Sequence, residues 1–140
     1  MKAIAEKDNQ IILRFDAGED VVSGLAAFAK KRGIDAASLN GLGSAKEIEI
    51  SWYDLQTRGY ERKTITEDLE ILPLTGNIAM LKNDHVIHMH GVFGRRDLSV
   101  IGGHVHRLDV LATAEVTILV MSGTSLHRVK DEKTGLNLLR

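Results

Sequence analysis

The histidines are the residues of this 140-residue chain whose spacing most clearly indicates chemistry. Five of the six lie between positions 85 and 106, and two of them form the motif His88-Met-His90. The surrounding pattern predicts a strand over residues 86–93, in which residues two apart point to the same face. The two imidazoles would then lie close enough to share one ion, with Met89 and Ile87 on the opposite face.

A third histidine, His104, follows a predicted turn at residues 94–97 and a Gly102-Gly103 pair. A hairpin would bring it beside the other two from the neighbouring strand, in a register that the sequence does not fix. Three neutral imidazoles with an open fourth position are typical of catalytic zinc, although imidazole also binds copper, nickel and iron. The pattern predicts a metal site at His88, His90 and His104, with zinc as the expected ion. The alternative is a set of polar side chains on a solvent-exposed strand face.

The remaining histidines do not share this spacing. His85 and His106 are interpreted as neighbours of the metal ligands or as surface residues, and His127 as a surface residue. A cupin-type metal site also begins with two histidines two apart in a strand, but it needs an acidic residue a few positions later. Here the segment Gly91-Val-Phe-Gly-Arg-Arg96 follows, so that type of site is discounted.

Two glutamates in apolar segments are candidates for proton transfer. Glu115 lies in a strand predicted over residues 110–121. A buried carboxylate costs free energy unless it is paired or protonated, so Glu115 is a candidate general base beside the metal. The favoured interpretation places it on the polar face of the strand with Thr113 and Thr117. Glu70, in the segment Glu-Ile-Leu-Pro-Leu, presents the same two alternatives.

One helix is predicted, over residues 20–32. Asp20 is suited to the N-cap because its carboxylate can accept hydrogen bonds from the free amides of the first turn. Basic residues occupy the last turn, and Gly33 can adopt the left-handed conformation that ends a helix. The apolar stripe of the helix consists of Val21, Leu25, Phe28 and Ala29.

Most of the remaining chain has the pattern of strands, which are predicted over residues 10–15, 46–53, 60–65, 70–74, 77–82, 86–93, 99–105 and 110–121, with a short one within 124–130. A turn is expected at Gly76. The segment Asn40-Gly-Leu-Gly-Ser-Ala45 is interpreted as a tight turn or a strand bend, not a phosphate-binding loop. Strands in hairpin order with one helix favour an α+β fold with a mostly antiparallel sheet. The length and the lack of a linker predict one domain over residues 1–140.

The composition restricts the classes of function. The 18 Lys and Arg residues oppose 19 Asp and Glu residues, giving a net charge of −1, whereas neutralisation of phosphates drives most nucleic-acid affinity. DNA binding would therefore need a local patch or an oligomer. The absence of cysteine excludes disulfides, thiolate zinc sites and iron–sulfur clusters. No apolar run is long enough to span a bilayer and no signal peptide is visible, so the expected location is the cytoplasm.

Five short stretches occur in a recognisable order: Asn40-Gly-Leu-Gly-Ser-Ala45, Leu69-Glu-Ile-Leu72 followed by Leu74-Thr-Gly-Asn77, His88-Met-His90, Gly102-Gly-His104 and Ala112-Thr-Ala-Glu-Val116. In this order and spacing they resemble the plants-and-prokaryotes-conserved (PPC) domain family, of the stand-alone prokaryotic type, over almost the whole chain. The resemblance implies an antiparallel sheet with a flanking helix, a homotrimer, and a metal site at His88, His90 and His104.

Three functions are consistent with this resemblance. One is a DNA-binding or regulatory trimeric module with a bound metal. Plant members grip DNA with an AT-hook, and this chain has no Arg-Gly-Arg-Pro-like stretch, its only proline being Pro73. The fold is also similar to that of acetolactate decarboxylase, which implies as the alternative a zinc-dependent enzyme with lyase or hydrolytic chemistry, in which Glu70 or Glu115 would handle protons. The third is a structural assembly module without metal.

Overall fold

The single helix, α1, spans Val21–Arg32 and has the predicted ends. The structure is a computed structural model that describes residues 1–140. The Asp20 carboxylate accepts hydrogen bonds from the amides of Val22 and Ser23, and Gly33 ends the helix in the left-handed conformation with φ of 62°. Because these determinants are local, the helix could be predicted to within one residue.

Eight strands account for most of the chain: β1 (Lys2–Lys7), β2 (Gln10–Asp16), β3 (Ala37–Asp54), β4 (Gly59–Leu81), β5 (Asp84–Gly94), β6 (Val100–Val120), β7 (Arg128–Lys130) and β8 (Asn137–Leu139). Six form one sheet in the order β1-β2-β6-β3-β4-β5, and β7 and β8 form a separate hairpin. All pairings between these strands are antiparallel, which confirms the predicted α+β fold with an antiparallel sheet.

Several predicted strand breaks are wrong. Strand β4 continues through residues 66–69 and Gly76, and β6 continues through the predicted interruption at Gly102-Gly103 and through residues 106–109. A Cβ atom at Gly76 would lie 2.2 Å from the carbonyl oxygen of His88 in β5. A Cβ atom at Gly102 would lie 2.7 Å from the oxygen of Gly91, and one at Gly103 would lie 2.8 Å from the oxygen of Ser51. These glycines allow backbones to approach closely within the sheet, and they do not form turns.

The segment from Asn40 to Ala45 is a bend within β3. Its pairing with β4 shifts register between Gly41 and Gly43, and its pairing with β6 shifts between Gly43 and Ala45. Gly43 has φ of 143°, in a region that side-chain-bearing residues rarely adopt. Of the two predicted forms for this segment, the structure therefore has the strand bend.

The sheet closes on itself at one end. In addition to its place at the sheet edge, β5 pairs with the first residues of β6, so that β6, β3, β4 and β5 form a ring of four strands. Twenty-five buried apolar residues form one core between this sheet and α1. Met89 and Ile87 belong to that core, so the alternate residues of β5 point out of it. The structure contains no helix that is long and apolar enough to cross a membrane.

Candidate metal centre

Strands β5 and β6 bring three histidines together on the outer face of the ring. His90 in β5 is paired directly with His104 in β6, which fixes the register that the sequence left open. His88 lies two residues before His90 and points to the same side, because Met89 between them is only 1% exposed. The predicted convergence of the three imidazoles is what the structure has.

The distances within this cluster fit a tetrahedral metal ion. The Nε2 atoms of His88 and His90 are 3.3 Å apart. One ring nitrogen from each of His88, His90 and His104 lies within 4.8 Å of the other two. Zinc–nitrogen bonds of about 2.0–2.1 Å in a tetrahedral site place two ligand nitrogens roughly 3.3–3.4 Å apart. The donor set, three imidazoles with no thiolate or carboxylate, is suited to zinc, copper, nickel or iron.

The surroundings of His88 and His104 favour the neutral imidazole, which is the form that binds metals. Burial, together with the neighbouring His106, His88 and His90, lowers the pKa of His104 from 6.5 to about 4. Burial and the Arg128 guanidinium lower the pKa of His88. At neutral pH a metal would therefore not compete with a proton at either nitrogen.

Arg128, on β7, lies against the metal ligands. Its Nη2 atom donates a hydrogen bond to Oδ1 of Asn77 at 2.7 Å and lies 3.2 Å from Nδ1 of His88. Its Nη1 atom donates to the backbone oxygen of Asn137. The Nε atom is buried and has no hydrogen-bond partner. Burial lowers the pKa of Arg128, because no carboxylate lies within 4 Å to compensate its charge.

A second polar pair lies on the other side of His104. The Oγ atom of Ser51 and the Nε2 atom of His106 are 2.7 Å apart. The rings of His104 and His106 are 4.6 Å apart, and that of Tyr60 lies 5.0 Å from His104. Burial lowers the pKa of His106 and raises that of Tyr60, so both are neutral at pH 7.

The three histidines line one wall of a cavity of about 720 Å³. The β7–β8 hairpin contributes Arg128 and the segment 135–138, and the end of the β3–β4 hairpin contributes Trp52, Tyr53, Arg58 and Tyr60. The lining contains two arginines and no aspartate or glutamate. A ligand on the open side of the histidine cluster would therefore meet a cavity that is positively charged and partly apolar.

The other candidate residues lie outside this cavity. Glu70 and Glu115 are both exposed, and neither contributes to the lining. His85 is half-buried and bonded to Asp35, with 2.9 Å between its Nε2 atom and a carboxylate oxygen, and His127 is exposed. The structure thus joins the three predicted ligands and leaves both candidate general bases elsewhere in the chain.

Sequence reasoning missed Arg128, Tyr60 and Ser51. The position of Tyr60 was predictable in principle. The turn between β3 and β4 is short, so it pairs Tyr60 with Tyr53 at the end of the hairpin. No sequence pattern identifies Arg128. Its strand has only three residues, and a parallel bridge between Met80 and His127 holds this part of the chain against β4.

Solved structures of similar shape come from several prokaryotes. A candidate DNA-binding protein from Bacteroides thetaiotaomicron has a TM-score of 0.93 at 29% identity, over 97% of this chain and 94% of that one. A metal-containing protein from Archaeoglobus fulgidus has a TM-score of 0.89 at 35% identity, over 100% and 99%. A Staphylococcus aureus protein of unknown function, similar to alpha-acetolactate decarboxylase, has a TM-score of 0.54 at 15% identity, over 87% and 54%. That last likeness shows the fold alone.

The sequence comparisons place the chain in a family. No curated protein sequence matches it. A family model, that of the Plants and Prokaryotes Conserved domain, matches residues 3–122, a range that contains all three histidines of the cluster. With 120 of its 140 residues in this match and a close structural likeness to proteins from several prokaryotes, the chain belongs to the Plants and Prokaryotes Conserved domain family.

Proposed function

We propose that the protein binds one zinc ion through His88, His90 and His104 and acts on a small molecule in the adjacent cavity. The observation that carries this proposal is the convergence of three imidazoles, two of them with lowered pKa, on the wall of a 720 Å³ cavity. A bound zinc would act as a Lewis acid on an oxygen of the ligand, or activate water, as lyase or hydrolytic chemistry requires. The Archaeoglobus fulgidus relative, a metal-containing protein, supports the binding of a metal by this chain.

The proton transfers of such a reaction would fall to Ser51 and His106. Ser51 lines the cavity, and its hydroxyl oxygen is 2.7 Å from Nε2 of His106. His106 can therefore accept a proton through Ser51, or return one, at the edge of the metal cluster. Glu70 and Glu115 have no such position within one chain.

The metal content of the purified protein tests the proposal. Protein made without a chelator or a nickel column should contain about one zinc per chain by elemental mass spectrometry. Loss of one of three nitrogen ligands should remove the zinc, so His88→Ala and His104→Ala should both be metal-free. His127→Ala is the matched control, because this histidine is exposed and is not one of the three clustered histidines, and it should keep full zinc content. Full zinc content in His104→Ala would contradict the three-histidine assignment.

Enzymatic activity needs a separate measurement. Zinc-loaded protein would be screened with small carbonyl and carboxylate compounds, beside the metal-free His104→Ala variant. Turnover that disappears in the variant, and on removal of zinc by a chelator, would support the enzyme. Equal turnover by the two proteins would show that the reaction does not use the site.

A homotrimer is the assembly that we propose for the chain. Leu72, Val92 and Val100 are exposed apolar residues on adjacent strands, and a Cβ atom at Gly94 would contact Leu72. Gly94 is in turn paired with Val100, and exposed apolar residues that lie near one another are typical of a protein interface. Light scattering should give a mass of about 46 kDa, three times the 15.4 kDa of one chain. A mass near 15 kDa at micromolar concentration would exclude the trimer.

DNA binding is the second candidate function, and the name of the Bacteroides relative favours it. The arrangement of charged side chains in this chain argues against DNA binding. The chain has three short basic clusters, within residues 30–32, 58–63 and 95–96. One arginine of each is paired with an acid: Arg32 with Glu6, Arg62 with Glu49 and Arg95 with Glu67. The discriminating experiment is fluorescence anisotropy with a 20-bp duplex at two salt concentrations. Affinity that falls steeply with salt would support DNA binding, and the lack of any affinity at 50 mM salt would exclude it.

A further inference from the structure

The charge of the cavity is one-sided. Its lining has Arg58 and Arg128 and no acidic residue, although the chain as a whole carries a net charge of −1. A divalent metal ion on the three histidines would add further positive charge to the same space. The cavity therefore attracts anions and disfavours cations, whatever reaction takes place there.

Arg128 is held in place without a counter-ion. Two neutral oxygens, from Asn77 and Asn137, accept hydrogen bonds from its Nη2 and Nη1 atoms. Its Nε atom is buried without a partner. A charge removed from water is costly when nothing compensates it, and a planar guanidinium is suited to a carboxylate, which can accept two parallel hydrogen bonds. The position of the guanidinium is thus fixed, while its charge still lacks a partner.

We propose that the cavity binds a small organic carboxylate, with Arg128 as the anchor of its carboxylate group. The inference deepens the proposed function, on which it rests for the metal, by assigning the class of ligand. One fixed guanidinium matches the single charge of a carboxylate. The apolar part of the ligand would lie against the remaining wall, which includes Trp52, Leu81, Val86 and Leu138.

Zinc binding would release Arg128 for this role. A guanidinium only donates hydrogen bonds, so its contact with Nδ1 of His88 requires a lone pair on that nitrogen. When Nε2 of His88 gives its lone pair to a metal, the proton of the neutral ring resides on Nδ1. The two arrangements exclude each other. Zinc should therefore remove the hydrogen bond from Nη2 to His88, while Asn77 and Asn137 still hold the guanidinium, and increase the contribution of Arg128 to anion binding.

The test uses the only tryptophan, Trp52, as a reporter, since it lies in the cavity lining. Cyclohexanecarboxylate and its neutral amide would be titrated into zinc-free and zinc-loaded protein while Trp52 emission is measured. The carboxylate should bind at least tenfold more tightly than the amide. Arg128→Met should lower carboxylate affinity about tenfold or more, as expected for a hydrogen-bonded charge, and the loss should be larger in the zinc-loaded protein.

The controls separate this inference from the metal assignment. Arg96→Met removes an exposed arginine that is not in the cavity lining, and it should leave carboxylate affinity unchanged. Zinc content is measured on every sample. Arg128-dependent carboxylate binding by a protein that takes up no zinc when zinc is supplied would support the anchor and contradict the metal site. Full zinc content with equal affinity in Arg128→Met would overturn the anchor alone.

Two further outcomes decide the ligand class. Equal affinity of the wild-type protein for the carboxylate and the amide would overturn the proposal without any variant, so the test survives if Arg128→Met fails to fold. Tighter binding of cyclohexyl phosphate than of the carboxylate would overturn the assignment to carboxylates. Arg128→Lys, which keeps the charge and loses the planar fork, should bind with intermediate affinity.

Discussion

Acidification of the zinc-free protein provides a sharp test of the histidine cluster. Burial and the neighbouring imidazoles disfavour the protonated form of His104, so that its pKa is about 4 in the folded chain. An exposed histidine has a pKa of about 6.5. In mildly acidic solution, His104 should therefore be mostly neutral, whereas an exposed histidine would be mostly protonated.

The size of the effect follows from these two pKa values. At pH 5.5 a histidine with a pKa of 6.5 is about 90% protonated, whereas one with a pKa near 4 is about 3% protonated. Competition from protons would weaken zinc binding about tenfold at the ordinary residue and hardly at all at His104. Zinc affinity should therefore fall much less between pH 7 and 5.5 than three independent histidines would predict.

The assay is an NMR titration of the histidine ring signals in zinc-free protein, with His104 assigned by its absence in His104→Ala. Its signal should remain that of a neutral ring down to about pH 5. Zinc affinity over the same range would be measured against a competing chelator. A His104 signal with its midpoint near pH 6.5 would refute the reasoning, because it would mean that the cluster does not disfavour a charge at this ring.

The same lowered pKa predicts how stability depends on pH. Between pH 6.5 and about 4 the unfolded chain binds a proton at His104 that the folded chain excludes. The contribution of this residue to stability is therefore complete above pH 6.5 and is lost as the pH falls. In calorimetry without zinc, the Tm of the wild-type protein should fall more between pH 7 and 5 than that of His104→Ala, by on the order of a few degrees. An equal fall in both proteins would contradict the linkage.

Two substitutions test the scaffold that positions the site. Gly76→Ala should lower the free energy of unfolding by about 2–4 kcal/mol, because its methyl group would collide with the carbonyl oxygen of His88, and denaturant unfolding would measure it. Gly59→Ala is the control, since a methyl group there has its nearest neighbour at 3.6 Å, and an equal loss would show that the close approach is not the cause. Asp20→Ala should cost about 1–2 kcal/mol, since it removes both the helix N-cap and the acceptor for the amide of Leu108. An unchanged unfolding midpoint would show that neither contact stabilises the fold.

The parts of the fold that local chemistry determines were predictable. The cap residues Asp20 and Gly33 define α1, and each acts within a few residues of its own position. The continuity of β4 was not predictable from its glycine. Gly76 has the same signature in sequence as a turn, and only the neighbouring carbonyl of His88 shows that the glycine is required by a crossing backbone.

The candidate site likewise contains residues whose positions were predictable and one whose position was not. His88 and His90 share a face because strands have a period of two, and the β5–β6 hairpin brings His104 opposite His90. Strand periodicity and a hairpin between neighbouring strands can both be predicted from the sequence, so the three histidines could be grouped in advance. Glu115 is exposed, as the polar-face interpretation expects. Arg128 comes from a three-residue strand 24 positions after His104, and no periodicity in the sequence connects the two.

The boundary of the family match has a consequence for specificity. The three histidines lie within residues 3–122, whereas Arg128 and the wall formed by residues 135–138 lie beyond that range. The family match therefore covers the proposed metal ligands, but it does not cover the residues that would select the ligand. If the carboxylate anchor is on β7, replacing the segment after residue 122 with that of another family member should change which anions bind. The zinc content should stay the same. A shift in zinc content on such an exchange would mean that the hairpin, whose Arg128 lies beside His88, also affects metal binding by the cluster.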